Sequence, residues 1–277
     1  MPSERPNVDR DTDEVRDQVE ELIDGRTSEP FGLYAGTTGS VVAGLARAVE
    51  QQVFLEAFGD TPELLEQEYR PYENASIFYC VVDHQERQPA GMARCIIPSS
   101  AGLKSLNDIP RDWGQDLDTV LARTGIDLDP EEAWDCATIA TLAPYRRGAL
   151  NGAVTTSLYQ AVASTPFRLR YRWWLSILDA PVYRLIQWKL ARPFSTYDDV
   201  EAGPYLGSVA SLPVWSDIDE WSARVRRADP ARFELIFGGR GIEGTVTPLD
   251  WELVDDIVRS CDRVGSPTRC AEDAGTV

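Results

Sequence analysis

The 277-residue sequence predicts an α/β fold, α+β in arrangement, in which an antiparallel hairpin is followed by alternating strands and helices. Three observations predict it. Two apolar, β-branched and aromatic runs, 76–82 and 90–97, are separated only by a polar turn, and a proline stops the second. Strand-like runs at 134–142 and 171–178 are each followed by a helical pattern. A pair of helical periodicities precedes the hairpin.

Residues 1–30 are charged and poor in apolar side chains. Val15, Val19, Leu22 and Ile23 have the spacing of a short amphipathic helix, but the composition equally fits an acidic, poorly ordered segment. Residues 31–39, rich in glycine and threonine, read as a loop. From Ser40 the apolar positions Val42, Leu45, Ala46, Val49, Val53 and Phe54 fit one helix face, ending near Gly59. Thr61 caps a second helix, with Pro62 at its first position and Glu63 and Glu66 in its first turn.

After the hairpin, 103–129 mixes helix and loop. The strand at 134–142 ends in the turn Pro144-Tyr145-Arg146-Arg147-Gly148, and a helix follows over about 150–162 with Val154, Leu158, Ala161 and Val162 on one face. Asp179-Ala180-Pro181 caps and opens a helix carrying Val182, Leu185, Ile186 and Leu190. Beyond Phe194 the chain reads as turns rich in proline, glycine and serine, then two helical patterns at 218–228 and 248–261, with a frayed end from Gly265. The resulting division is 1–30 as N-terminal segment, 31–214 as core, and 215–277 as helical appendage and tail.

A formal net charge of -18 opposes binding to nucleic acid or an anionic membrane, both of which call for basic patches. The five cysteines are odd in number and contain no C-x-x-C spacing. Cys80, Cys95 and Cys136 lie in apolar runs as small hydrophobes, and His84, the single histidine, falls in the hairpin turn, where it reads as exposed. No metal site is predicted. The N-terminus lacks the basic and apolar regions of a signal peptide, and no apolar stretch reaches the ~20 residues of a membrane span, so a cytoplasmic protein is expected.

A strand that ends in Arg146-Arg147-Gly148 and enters a helix over Asn151-Gly152 offers unpaired backbone N–H groups, a helix dipole and two guanidinium groups to an anion such as a pyrophosphate. The surrounding segment, Ile139-Ala140-Thr141-Leu142-Ala143-Pro144-Tyr145-Arg146-Arg147-Gly148, resembles the cofactor-cradling segment of the GNAT superfamily of N-acyltransferases. Two further segments, Gly91-Met92-Ala93-Arg94-Cys95-Ile96-Ile97-Pro98-Ser99 and Val53-Phe54 followed by Tyr69-Arg70-Pro71-Tyr72-Glu73, resemble its autoinducer-synthase and N-acyl amino acid synthase branch. The likeness spans roughly 53–194.

That resemblance implies a GNAT-like mixed, largely antiparallel sheet flanked by helices, with a splayed central strand pair. It also implies an acyl-CoA or phosphopantetheine-linked donor, held at Ile139, Ala140, Thr141, Arg146, Arg147, Gly148, Asn151 and Gly152. Transfer would be direct attack by a small amine or amino acid, with a backbone N–H near Ile139 polarising the carbonyl. Asp135 and Glu73 match the branch's acidic positions and are the candidate proton acceptors. The residues themselves leave alternatives: Asp135 reads equally as a strand-end acid paired with arginine, and Glu73 as a solvated loop acid.

Arg94, a charge inside an apolar strand, is either a partner of Asp135 or Glu73 or a clamp for a substrate carboxylate. Trp174 and Tyr183 are candidate substrate contacts, though Trp173 and Trp174 also suit a core. The tyrosine general acid of many GNAT enzymes has no counterpart (Ile186 stands there), and the branch's arginines fall at Thr138 and Glu50, which argues against homoserine-lactone synthesis. A basic set, Arg168, Arg170, Arg172, Arg184, Lys189 and Arg192, either docks an acyl carrier protein or balances charge. The alternative reading of the whole is a non-catalytic module that binds an acyl thioester.

Overall fold

The computed structural model describes residues 8–23, 29–146 and 152–265. Its elements run α1 (Val8–Ile23), β1 (Phe31–Thr37), α2 (Val41–Phe58), α3 (Pro62–Tyr69), a 3-10 turn (Arg70–Ala75), β2 (Ser76–Asp83), β3 (Gln88–Ile96), α4 (Lys104–Trp113), α5 (Leu117–Thr124) and β4 (Ala133–Thr141). Then come α6 (Ala143–Arg146), α7 (Ala153–Arg168), β5 (Trp173–Asp179), α8 (Ala180–Lys189), β6 (Ser195–Thr196), β7 (Gly203–Tyr205), β8 (Ser208–Asp217), α9 (Ile218–Ala228), α10 (Pro230–Phe237), β9 (Val246–Thr247) and α11 (Trp251–Gly265). The fold is mixed α/β, with one largely antiparallel sheet ordered β6-β8-β5-β4-β3-β2-β1-β9 and β7 attached to β8. Among the described residues only β4–β5 and β1–β9 are parallel.

Local chemistry sets the helix ends. Ser40 Oγ accepts from the Ala43 N–H, and Gly59 closes α2 in the left-handed region at φ 77°. Thr61 caps α3 ahead of Pro62, and Asp217 caps α9 by accepting from the Glu220 N–H. Asp179 stands at the cap position of α8, but its carboxylate accepts from Ser208 Oγ at 2.6 Å instead of an α8 N–H.

Helices cover both faces. On one, Val42, Leu45, Val49 and Val53 of α2 pack on Phe78, Cys80, Val82 and Met92, with Val19 of α1 buried against the same cluster. On the other, α7 lies along the sheet through Leu158 and Val162, and Tyr79 Oη donates to Thr165 Oγ1 at 3.0 Å. Each such side chain, fully buried, contributes roughly 2 kcal/mol.

The structure corrects several readings. Residues 31–37 form β1, paired throughout with β2 in antiparallel register from Phe31–Asp83 to Thr37–Ile77. The glycines that suggested a loop are needed for close approach: a Cβ on Gly36 would lie 2.3 Å from Ser40 Oγ, and one on Gly32 2.5 Å from the Tyr34 ring. The segment read as turns after Phe194 holds β8, a ten-residue strand. A boundary at 214 would therefore cut β8. Residues beyond it are integral: Gln160 of α7 donates to the Leu235 and Arg240 carbonyls, and β9 pairs with β1. His84 is half-buried between Tyr34 Oη (3.0 Å) and the Glu29 carbonyl (2.8 Å).

Candidate functional site

The centre of the sheet opens. β4 and β5 pair only at Ala133–Trp173, Trp134–Trp174 and Asp135–Leu175. Past that rung β4 continues to Thr141 against β3, and β5 continues to Asp179 against β8, so each keeps its outer partner and loses its inner one. A β-bulge sits at the same place. Arg94 pairs with Thr138 but Cys95 with Cys136, leaving Ala137 without a register partner. Bulges bend the strand and release backbone groups from the ladder. Ala137, Ile139 and Thr141 are half-buried here. An extended ligand carrying amides can therefore add along this edge as a strand would.

At the far end of β4 the chain turns through α6 towards α7. Arg146 is exposed, and its Nε donates to the Thr141 carbonyl at 2.8 Å. Gly152 takes the left-handed region at φ 74° as α7 begins. Arg147, Gly148 and Asn151 lie outside the described residues. A hollow of about 180 Å³ beside this end is lined by Phe31, Asp83, Pro144, Tyr145, Ala153 and Val154, among others. Tyr145 Oη donates to Asp83 Oδ2 at 3.0 Å, and burial pushes its phenol up to about 12.

At the vertex of the opening lies Asp135, with no exposed surface. Its carboxylate accepts from the Ser105 N–H (2.7 Å, to Oδ2) and from Ser105 Oγ (2.6 Å, to Oδ1). Ser105 is in the first turn of α4, so the helix dipole also favours the anion. Burial is nevertheless the dominant influence and pushes the Asp135 carboxyl up to about 6, opposed by the two Ser105 bonds and by the Lys104 ammonium, and aided by Asp108. The predicted arginine partner is absent from its described contacts; its partner is a serine.

Arg94 lies on the α2 face beside Thr138 and is 3% exposed. Nη2 donates to Glu50 Oε2 at 2.6 Å and Nη1 to Glu73 Oε2 at 3.3 Å, while the guanidinium stacks 4.1 Å from the centre of the Tyr69 ring. Glu50 accepts in turn from Thr138 Oγ1 at 2.6 Å, and Glu73 is also paired with Arg47 and bonded by Thr38. Of the two readings of Arg94, the ion-pair partner is the one seen, with Glu50 added to Glu73. Glu73 is thereby a held carboxylate rather than a solvated one.

A second array adjoins the first across Tyr69. Lys104, 2% exposed, bonds Glu68 (2.8 Å) and Asp108 (2.7 Å), and Tyr205 Oη donates to Asp108 Oδ2 at 2.6 Å. Trp174 is enclosed by Phe194 and Trp221, at ring distances of 4.6 and 5.6 Å, and its 2% exposure places it in the core rather than on a substrate surface. Tyr183 Oη accepts from Gln187 Nε2 at 2.9 Å within α8. Sequence reasoning missed Glu50, Arg47, Lys104 and Ser105. For Glu50 a signal existed: it stands four residues from Ala46 and three from Val53 on the apolar face of α2, where an acid requires a buried partner.

Of the basic set, Arg168 stacks over Trp251 (4.3 Å) and Arg172 pairs with Asp217 (3.2 Å). Arg184 and Lys189 are exposed on α8, which contains no acid and also exposes Leu185 and, at 67%, Trp188. No helix among the described residues is long and apolar enough to cross a membrane.

A mixed, largely antiparallel sheet that splays at its central parallel pair agrees with the architecture that the GNAT-like segments imply. No protein-family model matches the sequence, and no curated protein does. Among solved structures the chain is similar to FeeM, an N-acyl amino acid synthase from uncultured soil microbes, at 12% identity over 70% of this chain and 93% of that one, with a TM-score of 0.49. It is similar to the CoA-dependent acyl-homoserine lactone synthase BjaI, at 14% identity over 70% and 89%, with a TM-score of 0.45. It is also similar to spermidine N-acetyltransferase from Vibrio cholerae, solved with CoA and spermine, at 10% identity over 69% and 98%, with a TM-score of 0.41.

Proposed function

We propose that this protein is an N-acyltransferase that moves an acyl group from an acyl-CoA or acyl carrier protein thioester to a small amine or amino acid. The observation that carries the reading is the splay: two central strands that part at Asp135–Leu175 and leave one edge of β4 without a partner. The pantetheine arm would lie along residues 137–141, its amides pairing with that edge. Its phosphate end would reach the turn at Arg146 and Arg147, ahead of Gly148, Asn151 and Gly152. Backbone N–H groups released at the bulge, near Ala137 and Ile139, would meet the thioester oxygen as it becomes negative. Fixed donors at a developing oxyanion are among the largest contributions to acyl transfer.

The amine attacks the carbonyl carbon directly. The nitrogen–carbon bond forms, the carbon–sulfur bond breaks, the nitrogen loses a proton, and the thiolate gains one. Asp135 accepts the proton. Arg94, Glu50 and Glu73 hold the α2 face of β4 rigid against that step. A carrier-protein donor would dock on the basic and apolar face of α8, where Arg184, Lys189 and Trp188 stand out from an otherwise acidic chain.

One observation favours a second reading, a module that binds the thioester without turning it over: Asp135 has no exposed surface. Incubation with short- and long-chain acyl-CoA, with and without a pool of amines and amino acids, separates the two. Thiol release that depends on amine supports the transferase. Tight binding without thiol release supports the module.

A further inference from the structure

Asp135 poses a problem of access. It is fully enclosed, and the side-chain and backbone contacts described for its two oxygens both belong to Ser105. Of the two residues it is Ser105, at 5%, that keeps some exposed surface, so a substrate nitrogen would meet the serine before the carboxylate. Ser105 Oγ, by contrast, is a hydroxyl, able to donate to the carboxylate while accepting a proton from its other side. Ser105 lies in the first turn of α4, the helix laid over the α2-side face at the vertex of the opening.

Resting on the acyl-transfer reading, we propose that Ser105 is the proton relay of this site: the attacking nitrogen gives its proton to Ser105 Oγ as the serine proton passes to Asp135 Oδ1. The transfer balances, with one O–H made on Asp135 and one broken and remade on Ser105. The nitrogen becomes the neutral amide. In reverse the same hydroxyl returns the proton to the departing thiolate, which leaves as thiol and restores the Asp135 anion. The backbone N–H of Ser105 holds Oδ2 throughout and so fixes which oxygen takes the proton.

The groups around Asp135 suit a site that works once per turnover and then resets. The titratable groups that share an electrostatic influence with Asp135 are Lys104 and Asp108 of α4, Tyr69 of α3, Tyr72 of the 3-10 turn, Cys95 of β3, and Tyr197 and Tyr205 around β7. Lys104 favours the Asp135 anion but is shared with Glu68 and Asp108, and burial outweighs it.

Ser105→Ala tests the relay in the intact chain, because it removes the hydroxyl and keeps the backbone N–H that donates to Asp135 Oδ2. Expected is a loss of kcat of about tenfold or more with the KM for thioester unchanged, in the range of general acid–base effects. Ser105→Thr, which keeps a hydroxyl, should recover most of it. The midpoint of Asp135 protonation, followed by carboxyl 13C NMR, should move upward in Ser105→Ala, since a bond to the anion is lost. Full kcat and an unmoved midpoint in Ser105→Ala would overturn the relay. Asp135→Asn separates the premises: lost turnover there with full turnover in Ser105→Ala keeps the base and removes the relay. Undiminished turnover in Asp135→Asn removes both and leaves acyl transfer standing.

Discussion

Ser176 Oγ donates to the Cys136 carbonyl over 2.7 Å, one residue beyond the last rung that joins β4 to β5. A side chain here replaces a backbone partner and closes the vertex of the opening. Removing the hydroxyl would leave a buried carbonyl short of a partner, at a cost of about 1 to 3 kcal/mol. Ser176→Ala is therefore expected to lower stability by that amount in denaturant unfolding and to speed amide exchange over 136–141. Exchange unchanged in that stretch would show that the bulge, not this bond, holds the vertex.

The acid at the vertex makes a pH prediction. The Asp135 carboxyl is raised to about 6, against 3.8 when unfolded. Between those values the folded chain keeps a proton that the unfolded chain has released, so this group's stability contribution falls as pH rises from about 4 to 6. Asp135→Asn has no such loss. The stability of wild type relative to the variant should decline across that window by up to about 3 kcal/mol and be level above it. A difference that grows in favour of wild type would mean that burial does not dominate at Asp135.

The buried pair of Arg94 and Glu50 gives a larger effect. Replacing Glu50 with alanine strands a guanidinium that is 3% exposed, with the longer ion pair to Glu73 and its ring stacking left. Breaking such a pair costs about 3 to 5 kcal/mol. Denaturant unfolding of Glu50→Ala should show a loss on that scale, and Arg94→Met with Glu50→Met should recover part of it.

Cys80 and Cys95 should be chemically silent in the native state. Burial pushes the Cys80 thiol up to about 12 and the Cys95 thiol well above its usual range. Thiolate is the reactive form, so neither cysteine should react with an aromatic disulfide until the chain unfolds. Rapid native labelling of Cys95 would mean that the β3–β4 region opens on the timescale of the reagent.

The exposed face of α8 tests the donor. If a carrier protein delivers the acyl group, reversing Arg184 and Arg192 to glutamate should lower kcat/KM for that donor and spare acyl-CoA, with the loss shrinking as salt rises. Trp188→Ala should add a loss that salt does not screen. Equal losses for both donors would assign these residues to the fold.

Much of this was legible before the structure, and the pattern is physical. The hairpin, β4, β5 and the helices between them are long apolar runs with clear breakers, so period and punctuation were enough. β1 was not, because its glycines serve tight packing against Tyr34 and Ser40, and in sequence that looks like a loop. β8 was missed since Pro213 and several serines sit in it, yet it has partners on both sides. At the site, Asp135, Glu73 and Arg94 were visible as charges in apolar or motif context. Ser105 was not visible: a serine in a helix of mixed composition carries no signal until the fold brings it 30 positions along the chain to Asp135.

The most direct test of the central claim is a crystal structure with a non-hydrolysable acyl-CoA thioether. The account predicts the pantetheine arm in the opening between β4 and β5, its amides bonded to backbone within 137–141 and its carbonyl mimic beside the bulge at Ala137. A ligand bound elsewhere, for example in the roughly 330 Å³ hollow lined by Phe167, Arg168, Leu169, Arg170 and Asp255, with the opening unchanged, would contradict it.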